Sequence, residues 1–74
     1  MSSETETLAD ALPKEIERVQ SIIPFYRDPE LNGAGEITAR MMEFDIQKAL
    51  VAMMSGDVVG MLQAYEQLKG WDDV

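Results

Sequence analysis

Glu15 with Glu17, Glu43 with Asp45, and Asp72 with Asp73 are carboxyl pairs close enough in sequence to suggest acid–base chemistry. Such a dyad works only when both carboxyls converge on one substrate in environments that drive their pKa values apart. Residues two apart on a helix point in different directions, so the first two pairs diverge. The third pair stands beyond the last helical pattern, on a stretch expected to be mobile. The chain has no His and no Cys, so the usual general base and the thiolate nucleophile are missing. The same absence removes disulfides and the common zinc sites. No alternating acid pattern of a calcium loop occurs, and "SGDVVG" (55–60) is too short for a phosphate loop. The expectation is a protein that is not an enzyme and needs no cofactor or metal, its acids forming a solvated face.

The elements that position these residues are helices, and no stretch alternates as a strand would. Residues 1–9 are polar and acidic, and read as a mobile tail ahead of a single domain over 10–74. A first helix is expected from about Asp10, with Asp10 as cap and Pro13 in the first turn, where a missing N–H costs nothing. Leu12, Ile16, Val19, Ile22, Ile23 and Tyr26 fall within about 120° of its circumference, and Lys14, Glu17, Arg18 and Ser21 take the other side. Pro24 cannot donate to the Gln20 carbonyl, which predicts a kink or a tightened last turn. "DPELNGAG" (28–35) then predicts a long loop with room for one helical turn at Pro29–Leu31.

A second helix is expected over Glu36–Met54. "SGD" ends it at Ser55 and Gly56 and caps the next helix with Asp57. The third spans Val58–Lys69, with Val58, Met61, Leu62, Tyr65 and Leu68 as its inward stripe. Gly70 is expected in a left-handed cap, with Trp71 folding back and Met54 fitting no stripe. The fold class is therefore all-α, a small three-helix domain.

The second helix is apolar on two sides. Met42, Ile46, Ala49, Leu50 and Met53 occupy one arc of about 100°. Ile37, Met41, Phe44 and Val51 occupy another, nearly opposite, with Lys48 breaking into it. Two geometries would bury both arcs: helices 1 and 3 gripping helix 2 from opposite sides in a flat, self-sufficient monomer, or the two packing together on the first arc and leaving the second to another molecule. Neighbours in a three-helix bundle lie about 60° apart as seen from any one helix, which favours the latter. The second arc is expected to be a partner-binding face, and Ile37, Phe44 and Val51 repeat every seven residues as a helix–helix seam does.

Composition narrows the partner. Fourteen acidic residues against six basic ones leave a formal charge of -8, which repels nucleic acid and anionic membrane alike. No run approaches the ~20 apolar residues of a membrane helix. "MSSETETLAD" has neither the basic start nor the apolar run of a signal peptide, so the expected location is the cytoplasm. A 74-residue chain buries only roughly 60% of its surface, and without disulfides or metal a partner subunit is the remaining staple. The leading expectation is a small acidic accessory protein that binds protein and self-associates as a homodimer through helix 2, with no small-molecule substrate. The alternative is an acidic mimic of nucleic acid that occupies a basic cleft, using Asp10, Glu17, Asp28 and Glu30, among which Lys14, Arg18 and Arg27 intervene.

Overall fold

The computed structural model describes residues 7–71. Three helices account for most of them: α1 (Leu8–Tyr26), α2 (Glu36–Ser55) and α3 (Val58–Lys69). All three helices touch one another around one core, so the all-α class holds.

The first helix begins at Leu8, earlier than the Asp10 start expected from sequence. Thr7 is the cap: its Oγ1 accepts from the Asp10 backbone N–H at 3.2 Å and donates to Asp10 Oδ2 at 3.1 Å. A hydroxyl and a carboxylate three residues apart satisfy each other and the first turn together. Pro13 therefore lies inside the helix and not in its first turn, and the Ala9 carbonyl it leaves without a donor is on the exposed side. Residues 1–6 of the expected tail lie outside the described residues.

Pro24 tightens the end of α1 without stopping it. The helix runs to Tyr26, and the Arg27 N–H closes on the Pro24 carbonyl at 3.1 Å. The connection that follows is short, not the long loop expected. Asp28 Oδ1 accepts from the Glu30 N–H at 2.9 Å and starts a single 3-10 turn, Pro29–Leu31. Asn32 (φ 51°) and Gly33 (φ 80°) then reverse the chain in the left-handed region. Gly35 is buried against the end of α1, where an added Cβ would collide with the Tyr26 carbonyl oxygen.

The turn between α2 and α3 follows the sequence closely. Gly56 (φ 71°) donates back to the Ala52 and Met53 carbonyls, and Asp57 caps α3 by accepting from the Gly60 N–H at 3.0 Å. Gly70 differs from expectation. It is right-handed (φ -72°, ψ -13°), and the Trp71 N–H continues the winding onto the Leu68 carbonyl at 3.1 Å. The extra turn carries Trp71 across to α2 instead of back over α3, where its Nε1 donates to Asp45 Oδ2 at 2.9 Å.

The core is built from Leu12, Ile16, Val19, Ile22 and Ile23 of α1, Ala39, Met42, Ile46 and Ala49 of α2, and Ala64 and Leu68 of α3. Tyr26, Met53, Met61, Tyr65 and Trp71 pack around it, half-buried. Alanine supplies half of the α2 contribution, where a small side chain lets neighbouring backbones approach closely. Leu50, placed in the inward arc, is exposed, and so are Val58 and Leu62 of the expected α3 stripe. Leu50 lines the open groove between α1 and α2 with Gln20, Ile23 and Pro24, and Val58 and Leu62 stand on the part of α3 that neither other helix covers. Arg18, read as an outward residue, is half-buried: its Nη2 donates to the Leu68 carbonyl at 2.9 Å and to Glu15 Oε2 at 2.7 Å. It thereby adds a charged donor to a carbonyl at the end of α3 that already accepts from the Trp71 N–H.

Candidate functional site

Both flanking helices lie on the same side of α2, against Met42, Ile46 and Ala49. The opposite side is left bare. Ile37 is 75% exposed, Met41 51%, Phe44 64% and Val51 60%. Their spacing of four, three and seven residues lines them along one face of a helix whose other face is the core. The folded chain therefore carries an apolar strip, broken by Lys48, along its longest element.

Polar groups border the strip. The ammonium Nζ of Lys48 stands 5.4 Å from the Phe44 ring centroid, within reach of a cation–π contact, and shields one face of the ring. Arg40, Asp45 and Gln67 join Ile37, Met41 and Phe44 around an open groove of about 320 Å³ on the α3 side. A larger groove of about 580 Å³ opens on the α1 side between Gln20, Ile23 and Pro24 and the α2 residues Phe44, Gln47 and Leu50. Phe44 is thus a ridge between two depressions.

At the N-terminal end of the strip the charges are tied together. Arg27, the residue that caps α1, forks onto two carboxylates of α2. Its Nε and Nη2 donate to the two oxygens of Glu36 at 3.0 and 3.2 Å, and its Nη1 and Nη2 to those of Glu43 at 2.6 and 3.0 Å. Arg40 Nε donates to Glu36 Oε2 at 3.0 Å from one turn further on. The hydrogen bonds from Arg27 hold the Glu43 carboxyl below the usual carboxylate range, and those from Arg27 and Arg40 do the same for Glu36. In return the bonds to Glu43 and then Glu36 raise the Arg27 pKa, keeping that guanidinium charged. This cluster fixes the crossing of α1 and α2 beside the strip, and its surface exposure marks it as a positioning device and not as a buried acid–base pair.

The four residues expected from sequence as partner-binding are together on one face. Arg40 and Asp45, which border it, stand one residue before Met41 and one residue after Phe44, in the polar seams that the helical wheel of α2 sets beside this arc. Gln67, the third bordering residue, was not legible in the sequence. Gln67 comes from α3, and only the packing of α3 brings it there. The acids required for mimicry of nucleic acid are dispersed: Asp10 is bonded by Thr7, Asp28 caps the 3-10 turn, and Glu17 and Glu30 are exposed on separate elements. Among the described residues no group of three or more acids could hold a metal ion, and no helix is long and apolar enough to cross a membrane. No family model, curated protein or solved structure matches the chain.

Proposed function

We propose that this chain is a small acidic accessory protein of the cytoplasm, acting by binding protein through the outer face of α2 and not by catalysis. The observation that carries the reading is the exposure of Ile37, Met41, Phe44 and Val51 on a helix whose opposite face already completes the core. Single exposed hydrophobics are ordinary, but a strip of four along one helix face, with a polar border, is the usual form of a protein interface. Phe44 is its natural anchor, an aromatic ridge with Met41 one turn before it, Lys48 one turn after it and Val51 two turns after it on the seam. The lack of His and Cys in the composition supports binding over catalysis, and the lack of Cys also fits a reducing compartment.

The test is a photo-reactive phenylalanine analogue placed at Phe44 in cells, with the same analogue at Glu17 on exposed α1 as control. Position 44 is expected to give a discrete protein adduct and position 17 none. Equal labelling at both, or none at position 44, removes the reading.

A further inference from the structure

Resting on that reading, we infer that the occupant of the α2 face is a second copy of this chain, laid antiparallel. The two-fold axis crosses the outer face of α2 at the level of Ile46, whose own side chain points the other way into the core. Three observations lead there. The first is charge. The strip and its border carry Arg27, Arg40 and Lys48 against Glu36, Glu43 and Asp45, three of each sign, so this face is balanced in a chain of net charge -8. A basic partner recruited by the overall charge finds no acidic surplus here. An isologous interface that pairs charges across itself, in contrast, needs both signs in the one patch, because the same patch supplies both halves.

The second observation is area. Four large apolar side chains exposed by half or more present on the order of 500 Å² in one patch, near the upper end of what a monomer carries. With the Arg40, Asp45 and Gln67 border it approaches the roughly 800 Å² per partner of a standard interface.

The third is the place of Lys48. Ile37, Met41, Phe44, Lys48 and Val51 follow a four–three spacing, so Lys48 is itself a seam position. In a parallel pair each seam residue meets its own copy, which sets Lys48 against Lys48 and aligns the two helix dipoles. An antiparallel pair about Ile46 opposes Met41 to the second copy's Val51 and Lys48 to the second copy's Phe44, and it opposes the dipoles. Each ammonium then keeps an aromatic face, as it has within the chain at 5.4 Å, and gains the level of the second copy's Asp45. Trp71 occupies one oxygen of that carboxylate, and a carboxylate has two.

The chain has no native cysteine, so cross-linking is clean. Met41→Cys and Val51→Cys are made separately, mixed in equal amounts at high concentration and oxidised, beside a wild-type mass measurement across a concentration series. The expected result is a wild-type mass rising from one chain to two, and a disulfide product dominated by the mixed species, well above its random share. Ile37→Cys with Ser55→Cys is the second pair on the same axis, used if circular dichroism shows either first variant to have lost helix. Dominance of each variant's own disulfide overturns the register. A wild type that stays a single chain throughout overturns the second copy. In that case an adduct to another protein at Phe44 leaves the binding reading standing, and no adduct removes both.

Discussion

The indole N–H of Trp71 donates to Asp45 Oδ2 at 2.9 Å, which fastens the residue beyond α3 to the flank of α2 that borders the apolar strip. Twenty-six positions separate the two residues, and both are half-buried. The bond locks the C-terminal turn of α3 over the core where Leu68 is fully buried. Trp71→Phe keeps an aromatic ring and removes the donor. It is expected to cost about 1 kcal/mol, which is a fall of about 4–8 °C in Tm for a domain of this size. Asp45→Asn retains an acceptor for the indole and is expected to cost less. Thermal melts followed by circular dichroism read both; equal losses would show that the carboxylate's charge, and not its hydrogen bond, matters.

Acid should loosen the α1–α2 crossing through Arg27. Glu36 and Glu43 both titrate below their ordinary 4.5 in the folded chain, chiefly because Arg27 hydrogen-bonds their charged forms. A depressed carboxylate pKa contributes stability that is fully present above the unfolded value and is lost as pH falls through the folded value. The contribution is therefore intact at neutral pH, begins to fall below about pH 4.5, and is gone only below the lowered values of the folded chain. Both groups are exposed, so added salt should shrink it as well. Arg27→Met is expected to flatten the dependence of Tm on pH in that window while leaving the helix content unchanged. An unaltered acid limb in the variant would assign it to other carboxylates.

The elements legible in the sequence were those governed by local chemistry. Ser55-Gly56-Asp57 ends one helix and caps the next because a left-handed glycine and a capping carboxylate act within four residues of themselves. The inward stripe of α1 was legible because five of its members recur on one side of a helix long enough to average out exceptions. What escaped was set by the neighbours' reach. Periodicity puts Val58 and Leu62 on the same side as Leu68, but only the position of α3 across α2 decides that Leu68 is covered and the other two are not. Ala39, Ala52 and Ala64 are buried because helices cross there, and alanine carries too little hydrophobic signal to announce a crossing. The α2 strip was legible for the reason that makes it suspect as core: an arc opposite to one already filled has no helix left within the chain to cover it.

Gly35 is expected to be the least replaceable residue of the connection. It donates no unusual dihedral, since its φ is -94°, yet any Cβ there would collide with the Tyr26 carbonyl oxygen at the end of α1. Backbone on one side and helix on the other leave no flexible group to move aside. Gly35→Ala should cost about 2–3 kcal/mol, a large share of what so small a domain has. Gly33→Ala is the control, with open space around it but φ at 80°, and should cost about 1 kcal/mol from the left-handed backbone alone. Urea unfolding of the two variants decides; a Gly33 loss as large as that of Gly35 would mean the connection is governed by backbone freedom and not by contact.

Phe44→Asp separates the interface from the fold. The ring is 64% exposed and lies outside the core, so the isolated chain should keep its helix content. Association should be lost, because the variant removes both anchoring rings, and pairing of the new carboxylates with the second copy's Lys48 does not offset their desolvation between chains already at -8 each. Salt gives the sign of the interaction independently. Copies of like net charge repel at a distance, and screening relieves that repulsion, so wild-type association through this face should tighten as ionic strength rises. Binding of a basic partner by an acidic mimic would weaken over the same range. Sedimentation of wild type and Phe44→Asp at low and high salt tests both statements at once. A wild-type assembly that dissolves as salt is added, or a variant that associates as well as wild type, would move the interface away from α2.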